Sequence, residues 1–287
     1  MGKKVPLREK MLRAKVNDKQ RPFLKWAGGK YKVLDFLTPH FPSSDVFVEP
    51  FIGAGSVFLN THYEHYILND INSDLINLYK IIQNEAKAYI KDAEALFRPA
   101  NNNPDTFYEF REKFNLSKDT YERAVIFLYL NKFGFNGLCR YNKKGIFNVP
   151  FGSYKKVTFN KEKILYFSKK AQNATFYNYP FEQIFDLAPN NSIIYCDPPY
   201  APLTEGLSFT SYHTDDFSIE SQRKLIELAK KNSLQKKSTV LISNHDTPQT
   251  REWYDDATLY SHKVRRLINS QGKRPEVKEI LAIYYPN

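Results

Sequence analysis

Short apolar runs alternate along the chain with longer stretches in which apolar positions recur every three to four residues, the pattern of an α/β protein. Residues 45–49, 66–69, 175–177, 192–196 and 238–243 predict strands. The runs at 192–196 and 238–243 are apolar on both faces, as central parallel strands must be. From Asn72 to about Ile90, the positions Leu75, Ile76, Leu78, Tyr79, Ile81 and Ile82 form a helical stripe, and further helices are predicted over 107–114 and 121–130. These read as a helical insertion into a sheet domain. Ser218 is a candidate cap for a helix reaching about Lys231, with an incomplete capping box because Ser221 stands where Glu or Gln is needed. Residues 260–268 and 277–284 flank Gln271-Gly272-Lys273 and predict a closing antiparallel hairpin, whereas 201–216 lacks periodicity and reads as a long loop. Residues 1–20, with Lys3, Lys4, Arg8, Lys10, Arg13, Lys15 and Lys19, are expected to form a flexible basic arm.

Composition narrows the partners. No apolar run is long enough to span a membrane and none follows Met1-Gly2-Lys3-Lys4 as a signal region, so a cytoplasmic protein without a membrane partner is expected. Pro6 stands where a myristoylation signal needs Ser or Thr. Two isolated cysteines, Cys139 and Cys196, suit a reducing compartment, and the scattered His213, His245 and His262 predict no metal site. A formal charge of +11 with 15% aromatic residues points to a polyanion that can also be stacked upon.

The chemistry centres on Asp197-Pro198-Pro199-Tyr200 at the end of a buried strand. Two prolines donate no backbone hydrogen bonds, so the carbonyls beside Asp197 are expected to stay unpaired. A carboxylate, neighbouring carbonyl oxygens and an aromatic face match a nucleobase amino group, which offers two N–H donors and a π-face. Acceptors on both hydrogens free the nitrogen lone pair for attack. Upstream, Trp26-Ala27-Gly28-Gly29-Lys30 combines an aromatic face, close backbone approach and a point charge. The strand 45–49 followed by Pro50-Phe51-Ile52-Gly53-Ala54-Gly55-Ser56, and then by a helical-looking 57–59, has the form of a nucleoside-binding first unit. Asp70 ends the next strand, where such folds bond ribose hydroxyls. Residues 131–145 and 147–156 interleave aromatic, amide and basic side chains with glycine turns, a hairpin suited to phosphates, base edges and base stacks.

Together, the motifs at 23–30, 49–56, 70–74, 136–142, 197–200 and 242–246 resemble those of the bacterial and phage DNA adenine methyltransferases of the Dam family, a resemblance running from about Phe23 to Tyr285. It implies a Rossmann-like S-adenosylmethionine-dependent methyltransferase sheet over 21–71 and 161–287. A mainly helical target-recognition domain with a β-hairpin is implied over 72–160. The implied reaction moves a methyl group from S-adenosylmethionine to N6 of adenine in double-stranded DNA, within GATC, by base flipping, with no obligate protein partner. The implied catalytic residues are Asp197, Pro198, Pro199 and Tyr200. The implied cofactor residues are Trp26, Ala27, Gly28, Lys30, Glu49, Pro50, Phe51, Gly53, Gly55, Ser56, Asp70, Ile71 and Asp197. Those facing DNA are Lys25, Phe135, Asn136, Leu138, Arg140, Asn142, Pro150, Ser153, Tyr154 and Lys155. Members of the family commonly carry arginine where this chain has Ser153, and serine cannot make the bidentate contact to guanine. N4-cytosine methylation, an RNA substrate and a DNA-binding regulator without turnover remain open alternatives at this level. Cys196, on the buried strand, is expected to be a packed thiol rather than a nucleophile.

Overall fold

The computed structural model describes residues 19–201, 217–265 and 276–286. Residues 1–18 of the arm predicted at 1–20, residues 202–216 of the loop predicted at 201–216 and the turn Gln271-Gly272-Lys273 lie outside the described residues, while Lys19 pairs with Asp35 and Gln20 N with Asn60 Oδ1, so the last two arm residues are held. Seven strands form one sheet: β1 Val46–Glu49, β2 His65–Asn69, β3 Ala174–Tyr177, β4 Ile193–Cys196, β5 Thr239–His245, β6 Thr258–Arg265 and β7 Glu276–Tyr284, in the order β3-β2-β1-β4-β5-β7-β6. Neighbours among β1 to β5 pair in parallel, while β7 runs antiparallel between β5 and β6. This is the Rossmann-like sheet with a closing hairpin that the sequence predicts. Its order reverses between β1 and β4, so the crevice of such a sheet opens at the carboxyl ends of those two strands.

Alternation builds both faces. Phe47, Tyr195, Leu241 and Leu281 point into one core cluster, while their neighbours Val48, Ile194, Val240 and Ile280 point into the other. Fully buried rings such as Phe47 and Phe58 each contribute roughly 2–3 kcal/mol by leaving water.

Helix α1 spans Leu34–Leu37. Between β2 and β3 stand α2 Ser73–Ala95, α3 Pro104–Leu116 and α4 Thr120–Phe133, capped by the side chains of Asn72, Asn103 and Asp119. Buried Ala93 carries α2 beyond the predicted end, past a break in helical dihedrals at Glu85. The first core cluster continues from the sheet into these helices through Phe107, Phe114, Phe127 and Tyr129. Helix α5, Lys161–Ala171, went unpredicted, although Asn160 caps it and Ile164, Phe167 and Ala171 mark its buried face. Then follow α6 Phe181–Leu187, α7 Ile219–Gln235 capped by Ser218, and α8 Pro248–Trp253.

Two local expectations change. After the Gly53–Gly55 turn there is only a 3-10 turn, Phe58–Asn60, rather than a helix. Asn60 Nδ2 donates to the Ser56 and Gln20 carbonyls and Thr61 Oγ1 to the Val57 carbonyl, so side chains take acceptors that a continuing helix needs. Within 131–156 the antiparallel path is present, but it consists of isolated bridges, Gly134 with Phe151 and Tyr141 with Phe147, rather than a regular ladder. Asn136 and Ser153 take left-handed φ of 53° and 50°, which breaks the strand geometry on both arms.

Candidate active site and nucleic-acid surface

The parallel strands deliver Glu49, Asp70 and Asp197 to one edge of the sheet. The Lys30 ammonium reaches across to Asp197 Oδ1 at 2.8 Å and also donates to the Gly28 carbonyl at 2.8 Å. It lies 4.7 Å from the centre of the Tyr200 ring. Lys30 is buried, so this charge is held in place rather than waving in solvent. Burial pushes the Asp197 carboxyl above its ordinary range, and the Lys30 ammonium opposes that shift. Pro198 is buried and Pro199 exposed. Tyr200 donates its hydroxyl to Glu279 Oε2 at 3.2 Å, and its ring meets His245 edge-on at 4.8 Å. Cys196 is fully buried, and burial with the Asp197 charge beside it pushes its thiol well up, which suits packing and not attack.

The expected unpaired carbonyl at Pro199 is a correction: it accepts from Gln222 Nε2 at 2.8 Å. The proline pair removes donors from the chain itself, but α7 supplies one from outside.

Next to Asp197 lies the glycine turn. Gly53 takes φ of 47°, and a Cβ there would stand 2.9 Å from Trp26 Nε1, so the missing side chain is what lets the indole lie on the turn. Tyr79 clamps the same residue from below, donating to the Gly53 carbonyl at 2.6 Å. The Asp70 carboxylate accepts from Gly53 N and Asn72 N, both at 3.0 Å, tying the tip of β2 to the turn of β1. Burial raises its carboxyl and those two donors oppose the rise. Ala27 and Gly28 are exposed on the rim, and Ile71 exposes 71% of its surface beside Asp70. Pro50, Gly55 and Ser56 are buried under the turn, and Phe51 packs on Phe181 and Phe217.

Glu49 sits beneath this turn, 3% exposed, with no partner for Oε2 among the described residues and the Phe58 N–H on the carboxyl. Burial, then the Asp197 charge, pushes its carboxyl well above the ordinary value of 4.5. A carboxyl raised in the folded state holds its proton where the unfolded chain has released it, so stability falls as pH rises above the ordinary value. Glu49→Gln mimics the neutral acid. It is expected to exceed the parent by about 1–3 kcal/mol at neutral pH, with the difference vanishing in acid. Urea unfolding at the two pH values checks this, and equal stability throughout would contradict it.

The other predicted set gathers on the irregular hairpin. Phe135 is 48% exposed at its open end, beside the Gly134–Phe151 bridge, with its N–H held by the Pro150 carbonyl at 2.9 Å. Asn136, Arg140, Asn142, Pro150, Ser153 and Lys155 are exposed, and Leu138 and Tyr154 half-buried. Arg140 Nε donates to Asn148 Oδ1 at 2.8 Å, whereas Asn142 spends its Oδ1 on the N–H groups of Lys144 and Ile146 and so builds the turn. Lys25 joins the two regions: its ammonium donates to the Lys132 carbonyl at 2.9 Å and lies 3.7 Å from the Tyr154 ring centre, while burial lowers its pKa. Gly137 packs on its stem, where a Cβ would come within 2.2 Å.

Sequence reasoning placed Asn244 on β5 within a motif but gave it no role, and missed the rest of the support behind Tyr200: Gln222 on α7, Tyr254 after α8 and Glu279 on β7. The available signal is Gln222 in helical register with Leu225, Ile226 and Ala229, and Asn244 within the apolar run of β5. Among the described residues, no His, Cys, Asp and Glu group of three or more is placed to hold a metal, and no helix is long and apolar enough to cross a membrane.

The chain is 52% identical over 269 residues to the DNA adenine methylase of Escherichia coli K12, covering 93% of this chain and 96% of that one. It is 52% identical to that of Serratia marcescens, covering 93% and 99%, and 49% identical to that of Vibrio cholerae, covering 94% and 98%. Residues 26–268 match the D12 class N6 adenine-specific DNA methyltransferases, and with an acceptor-lined strand tip beside a glycine turn, the chain belongs to that family of enzymes.

Proposed function

We propose that this methyltransferase takes S-adenosylmethionine as its donor and methylates adenine N6 within GATC of double-stranded DNA in the cytoplasm, after swinging the base out of the helix. The observation that carries the reading is the convergence of Asp197, Lys30 and Tyr200 beside the Gly53 turn. The residues fit the donor. Gly53 leaves room for Trp26, Gly28 has nothing within 4 Å of where a Cβ would stand, and Asp70 keeps lone pairs for hydroxyls. Trp26, Ala27, Gly28, Lys30, Glu49, Pro50, Phe51, Gly53, Gly55, Ser56, Asp70 and Ile71 would hold it. Bound there, it supplies an electrophilic methyl group.

The remaining work falls to the chain. Tyr200, anchored by Glu279, offers its face to the extruded base, while the Asp197 carboxylate and the Pro198 carbonyl accept the two amino hydrogens. Attack by the amine needs no covalent intermediate on the protein. Residues 72–160 serve as the recognition domain. Phe135 fills the gap left in the base stack, Lys25 meets a base, and Asn136, Leu138, Arg140, Asn142, Pro150, Ser153, Tyr154 and Lys155 contact the DNA.

Sequencing of modified bases in plasmid DNA exposed to the purified protein tests this directly. N6-methyladenine confined to GATC is expected, and N4-methylcytosine would sink the reading. Gly53→Ala, strained at its left-handed φ and pressed on Trp26, is expected to weaken donor binding about tenfold by titration calorimetry.

A further inference from the structure

We infer that Gln222, on α7 and outside all the sequence motifs, is a positioning residue for methyl transfer: it fixes the backbone of 199–201 from behind so that the acceptors at Asp197 and Pro198 point at the amine. The inference rests on the Asp197 mechanism above.

Between Asp197 and Ala201 the chain has little with which to hold itself. Pro198 and Pro199 have no N–H, so neither can be tied down as a donor. The structure instead grips the Pro199 carbonyl and both backbone groups of Ala201. Gln222 Nε2 donates to the Pro199 carbonyl at 2.8 Å, and Ala201 N donates to Asn244 Oδ1 at 3.0 Å. His245 Nδ1 lies 2.6 Å from the Ala201 carbonyl. A carbonyl can only accept, so Nδ1 carries the proton. Gln222 is the hub: its Oε1 accepts from Asn244 Nδ2 at 3.2 Å, and the same Nδ2 reaches the Tyr254 hydroxyl at 3.0 Å. Gln222 is 2% exposed and Asn244 fully buried, so water does not replace either bond.

An amide is required at this place because the position must donate to one neighbour and accept from another. Leucine fills the volume and does neither. A neutral glutamic acid does both, and an ionised one loses the donor. Gln83, half-buried and away from the site, is a control for the loss of an amide donor to backbone carbonyls. Its Nε2 bridges the Ala171 and Ala174 carbonyls at 2.6 and 2.8 Å.

Steady-state kinetics with the whole chain, S-adenosylmethionine and a duplex substrate test the inference. Gln222→Leu is expected to lower kcat roughly 30-fold while KM for donor and DNA stay within about threefold. Gln83→Leu is expected to lose comparable thermal stability and keep kcat. The activity of Gln222→Glu relative to the parent is expected to rise from about pH 8 toward about pH 6 as its buried carboxyl takes up a proton. Parent-like turnover in Gln222→Leu, or an equal kcat loss in Gln83→Leu, overturns the role. Should Gln222→Leu not fold, a flat pH ratio for Gln222→Glu overturns it instead. An Asp197→Ala variant assayed alongside separates the two ideas: if it stays active the Asp197 mechanism fails, and if it is inactive while Gln222→Leu is unaffected only this inference fails.

Discussion

Asp197→Ala abolishes methyl transfer, with an expected loss of at least about a thousandfold in kcat, while Cys196→Ser retains most of the parent activity. The carboxylate is the charged acceptor at the strand tip, and its removal also strands the buried Lys30 ammonium 2.8 Å away. On the proposed mechanism two defects therefore coincide: the amine loses its charged acceptor, and the buried Lys30 ammonium loses its counter-charge and keeps only the Gly28 carbonyl. Cys196 lies one residue earlier on the fully buried β4, with a thiol pushed well up by burial and by the Asp197 charge. Labelled methyl incorporation into duplex DNA, measured for both variants, decides between amine activation and cysteine chemistry. An inactive Cys196→Ser with an active Asp197→Ala would reverse the assignment.

The second large effect is on stability. Arg123→Met is expected to cost about 3–5 kcal/mol, because it leaves a buried carboxylate without its partner. Arg123 binds Asp74 through both sides of its guanidinium, with Nη2 at 2.7 and 2.8 Å from the two oxygens and Nε at 2.9 Å. Nη1 takes the Phe114 carbonyl at 2.6 Å, and the Tyr141 hydroxyl donates to Asp74 Oδ2 at 2.7 Å. One ion pair thus locks α2, α3, α4 and the turn end of the irregular hairpin together. For a chain of this length the loss lowers Tm by roughly 10 °C. Replacing both charges, with Asp74→Leu added, is expected to recover part of it, since no lone charge then remains. Calorimetry on the single and double variants reads this out. A Tm for Arg123→Met equal to the parent would show that the pair contributes nothing net.

Local pattern carried much of the fold into view. The buried runs at β4 and β5 declared themselves by their unbroken apolar character, and the long stripe from Leu75 to Ile82 declared α2. Helix α5 stayed hidden because its apolar face is only three buried residues wide on a chain rich in lysine. The turn after Gly55 was misread because Val57-Phe58-Leu59 looks helical, while Asn60 and Thr61 reach back and close it. At the site, the residue types of Asp197, Lys30, Gly53 and Asp70 were legible as chemistry. The Lys30–Asp197 pair was not, since 167 positions separate the two and nothing local couples them.

By itself the sequence determined the alternation of strands and helices, the family, and the chemical character of the strand tips, because each follows from residue type at short range. Only the tertiary structure decided which donors reach which acceptors: Lys30 on Asp197, Tyr200 on Glu279, and Gln222 on a carbonyl for which the prolines supply no donor. Those contacts join segments far apart in the chain, and side-chain meetings across a sheet are fixed by strand order and packing rather than by neighbours in sequence.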